Sequence, residues 1–268
     1  IKLLILLMYN FASVCVVITK KKLMKTLVLI PSRLSATRLP GKPLLKINGL
    51  SIISHVFKTA QKADIGEVFV ATEDQDIVDD VKKNGGEAIL TSNKHKTGTD
   101  RIYEAIKKIG KTDVELVMNL QGDEPLMNIE DIKNLNKLMI KFKHNLGTLA
   151  SKIADKKILK NENIVKVITK ESLDNLNFPL ALRFIRKLKK NENHIYHHLG
   201  IYCYELETLN KFVSIKQSHN EIKDKLEQLR ALDNNININV ALAKSSPIGV
   251  DTKEDFMAIK KIMEYKSQ

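Results

Sequence analysis

Cysteine, proline and tryptophan are scarce in this sequence, whose 268 residues include two cysteines, six prolines and no tryptophan. Cys15 and Cys203 each lie among apolar residues, which favours neither a disulfide framework nor a cysteine-ligated metal site. Two common phosphate-binding signatures are also missing, the Walker Gly-x-x-x-x-Gly-Lys-Ser/Thr loop and the Gly-x-Gly-x-x-Gly turn. We therefore expect a globular protein of a reducing compartment, the cytoplasm, without either of these nucleotide-binding loops.

Acidic residues are too few to balance the basic ones, because 31 Asp and Glu face 44 Lys and Arg, for a net charge of +13. The lysines are spread along the chain, with no basic tract interleaved with aromatic residues and no zinc-finger spacing. An AT-rich coding sequence, which favours Lys, Ile and Asn, explains the excess without a nucleic-acid partner. We predict no such partner, and keep a non-catalytic protein that binds nucleic acid or a membrane as the alternative.

The N-terminal stretch at 3–18 is almost wholly apolar and is bracketed by Lys2 and Lys20. It is longer than the apolar part of a typical signal peptide and shorter than the roughly 20 residues of a membrane span. We expect residues 1–23 to be upstream sequence before a start at Met24. If they are part of the protein, they would tether it to a membrane.

From residue 26 onward, short apolar runs alternate with segments of helical periodicity. The pattern predicts strands at 27–30, 67–71, 87–91 and 116–120 and helices at 51–63, 74–83 and 99–109. This order indicates an α/β fold, a mostly parallel sheet with helices on both faces and ligands at the carboxyl ends of the strands. Strands at irregular spacing and a helix at 222–232 indicate a smaller mixed-sheet subdomain at 147–235. A final helix is predicted at 252–263, within a single domain at 24–268.

The first candidate site follows the predicted strand at 27–30. Pro31 is expected to end that strand, because proline cannot donate a ladder hydrogen bond. The loop beyond it carries Arg33, Arg38 and Lys42, with Gly41 between two prolines. Three cations at the end of a strand suit a polyanion such as a nucleoside triphosphate, and a solvated basic loop is the alternative.

Two further candidates are acidic. Asp123 lies in the string Gln-Gly-Asp-Glu-Pro at 121–125, directly after a predicted strand, and Asp251 lies in Gly-Val-Asp-Thr at 249–252. Carboxylates suit Mg²⁺, which prefers oxygen ligands and commonly bridges them to phosphates. A strand-to-helix turn explains the first string equally well, and an N-cap before the last helix explains the second.

The string at 31–42 resembles the N-terminal signature of the sugar-nucleotide cytidylyltransferases, with the 3-deoxy-manno-octulosonate (Kdo) cytidylyltransferases nearest. The strings at 121–125 and 249–252 resemble two further motifs of that family, in the same order. The resemblance covers about residues 24–263. It implies a Rossmann-like fold of the nucleotide-diphospho-sugar transferase type and a homodimer. It also implies Mg²⁺-dependent transfer of CMP from CTP to Kdo for lipopolysaccharide synthesis.

The resemblance also assigns residues to roles. It implies that Asp123 and Asp251 bind the metal and, with Arg33, Arg38 and Lys42, form the catalytic set. The nucleotide-binding residues it implies are Pro31, Ser32, Ala71, Thr72, Glu73, Thr97, Gly98, Thr99, Arg101 and Gln121. The sugar-binding residues it implies are His198, Tyr202, Glu227 and Gln228. Independently of the resemblance, the alternation of side chains along a strand puts His198 and Tyr202 on one face.

The chain departs from the family at two places. Glu73 stands where the family has Asp, and Asn177-Phe178-Pro179-Leu180 stands where the family has a Phe-Ser-Arg segment. The missing arginine would bind the sugar carboxylate, for which Arg183 or Arg186 could substitute. The departure leaves open another acidic sugar, a sialic acid or 8-amino-Kdo, as the acceptor.

Overall fold

The computed structural model describes residues 24–35, 38–174, 176–188 and 192–265. The predictions for Cys15 and for the N-terminal segment at 1–23 lie outside these residues. No helix in the described ranges is long and apolar enough to cross a membrane.

The described residues alternate strands with helices in the predicted order. The strands are β1 (Lys25–Ser32), β2 (Lys46–Ile47), β3 (Leu50–Ser51), β4 (Gly66–Thr72), β5 (Ala88–Leu90), β6 (Val114–Asn119), β7 (Leu146–Ser151), β8 (Lys166–Thr169), β9 (Ala181–Ile185), β10 (Ile195–Glu205) and β11 (Asn239–Ala243). The helices are α1 (Ile52–Lys62), α2 (Gln75–Lys83), α3 (Gly98–Ile109), α4 (Ile129–Phe142), α5 (Lys157–Lys160), α6 (Leu206–Ser214), α7 (His219–Asp224), α8 (Leu229–Asp233) and α9 (Lys253–Tyr265).

One large sheet organises the fold. Its strands run in the order β11, β7, β10, β6, β1, β4 and β5, and β8 extends it by pairing with β10 and β9. β1 is parallel to both β4 and β6, and β11 is parallel to β7, whereas β10 is antiparallel to its neighbours β6, β7 and β8. The predicted α/β class with a mostly parallel main sheet is therefore confirmed.

Strand β1 shows how the two faces of the sheet are covered. Val28 and Ile30 pack into a core with α1, α2 and α4, whereas Leu27 and Leu29 pack into a second core with α3 and α6. All four side chains are at most 1% exposed. Each contributes about 1.5–3 kcal/mol of hydrophobic stabilisation, so the central strand is held firmly where its carboxyl end meets the site.

Pro31 does not end β1 as the sequence analysis expected. The strand continues through Ser32, which pairs with Thr72 of β4. On the opposite side the ladder with β6 stops at Leu29, whose carbonyl accepts a hydrogen bond from the Leu120 amide at 3.0 Å. Pro31 thus occupies a position bordered by only one strand, where a missing donor is tolerated.

The single helix predicted at 222–232 is wrong, because two short helices, α7 and α8, occupy this part of the chain. Lys225 follows α7 with a φ of 53°, a left-handed conformation that ends a helix. Apolar periodicity continues across the break, which explains the error. The break creates a turn at 226–228 that carries two of the predicted sugar-binding residues, Glu227 and Gln228.

The sequence analysis predicted no helix where α4 lies. Its start carries a recognisable signal, since Asn128 accepts a hydrogen bond from the Glu130 amide at 2.8 Å. Its buried residues Ile132, Leu135 and Leu138 recur every three positions, as an amphipathic helix requires.

A buried ion pair braces the turn between α7 and α8. The Arg230 guanidinium donates to both carboxylate oxygens of Glu221, at 2.8 and 2.6 Å, and the two side chains are 3% and 4% exposed. A bidentate pair in such surroundings leaves a costly uncompensated charge if one partner is neutralised.

We expect Glu221→Gln to lower the free energy of unfolding by about 3–5 kcal/mol, because the buried Arg230 loses its bidentate counter-ion and keeps only the more distant carboxylate of Glu227, at 3.7 Å. Urea titration measures the change. The matched control is Glu162→Gln, whose partner Lys187 lies at 3.2 Å in an exposed pair and which should cost less than about 1 kcal/mol. Equal losses in the two variants would contradict the role assigned to the Glu221–Arg230 pair.

Candidate active site

A cavity of about 400 Å³ opens where β1 and β6 end, beside the start of α3 and the segment that precedes α9. This is the edge at which ligands collect in open α/β sheets. The predicted site residues that line it are Pro31, Ser32, Arg33, Arg38, Lys42, Thr97, Gly98, Arg101, Gln121, Asp123 and Asp251.

Lys42 holds the two predicted metal ligands together. Its ammonium lies 2.5 Å from Asp123 Oδ2 and 3.3 Å from Asp251 Oδ1, and it also donates to the Val250 carbonyl at 2.8 Å. The two acidic segments meet directly as well, since the Val250 amide donates to the Asp123 carbonyl at 2.8 Å. Arg38 adds a second cation, 2.9 Å from Asp251 Oδ2. The fold thus brings together two carboxylates that are far apart in the sequence.

Glu124 is a buried carboxyl next to Asp123 in the sequence. Burial first, and then the charges of Asp123 and Asp251, raise the pKa of its carboxyl to about 8, against the opposing effect of Lys42. Its buried Oε2 has no hydrogen-bond partner. The carboxylate oxygens of Asp123 and Asp251 are the kind of donor that a hard divalent cation prefers.

The described residues place no three His, Cys, Asp or Glu side chains together as a metal-binding group. The aspartate pair would therefore need further ligands from a bound molecule. That arrangement is usual for Mg²⁺, which takes one or two carboxylates and completes its shell with water and substrate phosphates. The donor set fits such an ion.

Arg101 borders the cavity with a tightly held guanidinium. The residue is 3% exposed, donates to Thr91 Oγ1 at 2.8 Å, and forms a hydrogen-bonded ion pair with Glu73. Glu73, which stands where the family has Asp, thus compensates the charge of Arg101. Ala71 and Thr72 are fully buried in β4 and do not line the cavity, so their predicted nucleotide contacts stay predictions.

The start of α3 forms one wall of the cavity. Thr97 caps the helix, since its hydroxyl accepts a hydrogen bond from the Asp100 amide at 3.1 Å. At Gly98 a Cβ would come within 3.1 Å of Pro31 Cγ, so glycine lets the helix approach the end of β1. Thr99 is 1% exposed and does not line the cavity. Its hydroxyl instead donates to Glu227 Oε2 at 2.8 Å.

None of the predicted sugar-binding residues lines the cavity. His198 and Tyr202 project from one face of β10, with ring centroids 5.5 Å apart, which confirms the predicted shared face. Gln121, which does line the cavity, donates to the Gly200 carbonyl of the same strand at 2.6 Å. Glu227 and Gln228 lie on the turn between α7 and α8.

His198 is neutral and its tautomer follows from its partners. Burial, with a smaller contribution from His197, lowers the pKa of its imidazole to about 3. Thr148 Oγ1 lies 3.1 Å from Nε2 and donates its single proton to the Ile201 carbonyl at 2.7 Å. This shorter contact favours the tautomer in which Nε2 carries the hydrogen and Nδ1 is an acceptor.

Neither proposed substitute for the missing arginine reaches this cavity. Arg183 pairs with Glu192 at 2.5 Å, and Arg186 donates to the backbone carbonyls of Asp224 and Lys225. Both line a separate cavity of about 790 Å³.

Other residues border the cavity that the sequence analysis did not assign to the site, namely Pro43, His95, Lys96 and Gly122. His95 is hydrogen-bonded to Glu104 on α3. Although burial raises it, hydrogen bonds from Lys108 and His95 lower the pKa of Glu104 to about 2. An ionised carboxylate thus orients His95. For His95 and Lys96 the available signal was their position directly before Thr97 and Gly98, which the resemblance assigned to the nucleotide.

Comparison with known proteins agrees with this geometry. Residues 27–238 match the model of the cytidylyltransferase family, and the chain belongs to that family. It is 42% identical over 252 residues to a 3-deoxy-manno-octulosonate cytidylyltransferase of Thermodesulfovibrio yellowstonii, with 90% of this chain and 98% of the relative covered. A protein of the same name from Bartonella tribocorum is also 42% identical, over 90% of this chain and 99% of its own.

A solved structure gives the same result for the fold. The CMP:2-keto-3-deoxy-manno-octonic acid synthetase complexed with CTP superposes with a TM-score of 0.82 at 32% identity. The match covers 90% of this chain and 99% of that one. The predicted resemblance to the Kdo cytidylyltransferases and the Rossmann-like nucleotidyltransferase fold are thereby confirmed.

Because His198 is buried and neutral, we can predict how the free energy of unfolding depends on pH. The unfolded chain takes up a proton near pH 6.5, whereas the folded protein does so near pH 3, so this residue makes the folded state less stable as the pH falls between these values. We expect His198→Phe to remove a slope of up to about 1.4 kcal/mol per pH unit from the free energy of unfolding below pH 6.5.

Urea unfolding from pH 7.5 to pH 4.5 measures this slope. The control is Phe184→Leu, which disturbs the ring packed edge-on against His198, at 4.9 Å between centroids, without deleting a titrating group. Its curve should stay parallel to that of the wild type. A His198→Phe curve that is also parallel would contradict a neutral buried imidazole.

Proposed function

We propose that this chain transfers CMP from CTP to Kdo, giving CMP-Kdo and pyrophosphate, with Mg²⁺ as cofactor. One observation carries the proposal: Lys42 and Arg38 meet Asp123 and Asp251 in a cavity at the carboxyl edge of the sheet. The names of the relatives support the choice of CTP and Kdo.

The basic residues of the cavity bind the triphosphate. Arg33, Arg38 and Lys42 follow β1 and present their charges to the phosphates of CTP. They also stabilise the negative charge that builds up on the departing pyrophosphate. Asp123 and Asp251 would hold Mg²⁺, which when bound neutralises phosphate charge and favours ionisation of the attacking hydroxyl.

The acceptor is held from the side of β10 and of the turn at 226–228. The anomeric oxygen of Kdo forms a bond to the α-phosphorus while the bond from that phosphorus to the α,β-bridging oxygen of CTP breaks, and this oxygen leaves with pyrophosphate. The proton of the attacking hydroxyl leaves to water. No covalent enzyme intermediate is needed, and the chain contributes position and charge. The Nδ1 acceptor of His198 suits a sugar hydroxyl, and burial keeps the pKa of Tyr202 well above its ordinary value, so that its hydroxyl stays protonated.

Pyrophosphate release tests the reaction and the acceptor together. The protein is given CTP and Mg²⁺ with Kdo, with 8-amino-Kdo, with a sialic acid or with no sugar. Release that requires Kdo supports the proposal. Release with another acidic sugar alone keeps the chemistry and replaces the acceptor, an outcome that the absent Phe-Ser-Arg arginine makes worth testing.

A homodimer and a cytoplasmic location stay predictions.

We expect Asp123→Asn to lower kcat at least about a hundredfold, because the site loses one of the two carboxylates that would hold the metal. Steady-state pyrophosphate release measures it. Asp113→Asn is the matched control, since Asp113 pairs with Lys25 at the amino end of β6, away from the cavity. Undiminished Mg²⁺-dependent turnover by Asp123→Asn would refute the assignment.

We expect Lys42→Met to increase the effect of Mg²⁺ on thermal stability in the absence of CTP. Without the ammonium, Asp123 and Asp251 repel each other, so the metal-free variant should have a lower Tm than the wild type. Mg²⁺ should then raise the Tm of the variant more than that of the wild type.

Thermal melts with and without Mg²⁺ measure the two shifts. The control Lys46→Met removes an exposed lysine four positions further along the chain and should respond to Mg²⁺ as the wild type does. Identical shifts in Lys42→Met and the wild type would show that Lys42 does not compensate the aspartates.

A further inference from the structure

The turn at 226–228 and the first turn of α3 are joined by a hydrogen bond between Thr99 and Glu227. Thr99 Oγ1 donates to Glu227 Oε2 at 2.8 Å, and Thr99 is 1% exposed. The two residues come from distant parts of the chain, one from the wall of the nucleotide cavity and one from the acceptor side. The contact therefore joins the two halves of the proposed site.

The other carboxylate oxygen of Glu227 lies near Arg230, the arginine of the buried ion pair. Its Oε1 lies 3.7 Å from the Arg230 guanidinium, which is itself fixed by Glu221. That oxygen is buried and has no hydrogen-bond partner. Burial raises the pKa of Glu227, against hydrogen bonds from the hydroxyls of Thr99 and Thr97. One carboxylate oxygen is thus fixed by α3, and the other is left able to accept a hydrogen bond.

The neighbours of Thr99 border the nucleotide. Thr97 and Gly98 line the 400 Å³ cavity, so a molecule bound there contacts the same turn of α3 that carries Thr99. A shift of that turn would move Glu227, because Thr99 Oγ1 is hydrogen-bonded to its carboxylate at 2.8 Å. Ordering of α3 by a nucleotide would in turn order the acceptor side.

We propose that Thr99 is a positioning residue: its hydrogen bond to Glu227 couples the nucleotide site to the acceptor site and fixes the Glu227 carboxylate on the acceptor side. The proposal rests on the proposed function. It gives Thr99 a role different from the nucleotide contact implied by the family resemblance.

Thr99→Val tests the proposal, because valine keeps the shape and removes the hydroxyl. We expect the KM for Kdo to rise about tenfold or more, the loss typical of a hydrogen bond to a charged group, with the affinity for CTP in the absence of Kdo unchanged. The matched control Thr99→Ser keeps the hydroxyl and should behave like the wild type. A rise in the KM for CTP with the KM for Kdo unchanged would overturn the proposal and make Thr99 a nucleotide contact.

Binding measurements separate coupling from a general structural effect. Calorimetry of Kdo, with and without the α,β-methylene analogue of CTP, should show tighter binding with the analogue in the wild type and no such gain in Thr99→Val. In the Glu227→Ala background, Thr99→Val should change the affinity for Kdo no further, since its partner is gone. Additive losses in the double variant would overturn the proposal. Failure of the wild type to use Kdo would instead refute the proposed function.

Discussion

The site depends on the compensation of Asp123 and Asp251 by Lys42. Two carboxylates that face one cavity repel each other, and the ammonium between them makes the arrangement stable before any ligand binds. The same ammonium has to serve the phosphates of the proposed substrate, so its partners must change when CTP and a metal bind. The loop after β1 and the segment before α9 are therefore linked through Lys42, and the Arg38–Asp251 pair adds a second link.

Local patterns predicted the first half of the fold well. Strands such as β1 are short apolar runs in the centre of a parallel sheet, and helices such as α1 and α3 have both apolar periodicity and a capping side chain. The errors arose where contacts with residues distant in the sequence determine the local structure. Pro31 stays in β1 because β6 no longer borders it, and the helix expected at 222–232 breaks where Lys225 turns the chain and the Glu221–Arg230 pair fixes the result.

The site was predictable where a motif is continuous in the sequence. Arg38, Lys42 and Asp123 were found in this way and are brought together by the fold. Thr99 shows the limit: it lies in a motif beside cavity residues, yet its place in the first turn of α3 directs its hydroxyl away from the cavity and onto Glu227. A helix turns each successive side chain by about 100°, so adjacent residues of one motif serve different neighbours.

The positive charge of the chain can now be divided into two parts. Most lysines are spread over the surface, as the sequence suggested, but the cavity holds a local group of cations, Arg33, Arg38, Lys42, Lys96 and Arg101. Among the described residues that line the cavity, only the two aspartates oppose them, and Glu73 offsets Arg101 from just outside. A concave site of this kind concentrates a small polyanion, whereas a duplex needs an extended basic face. The charge that first invited a nucleic-acid hypothesis is thus explained, where it is concentrated, by a nucleoside triphosphate.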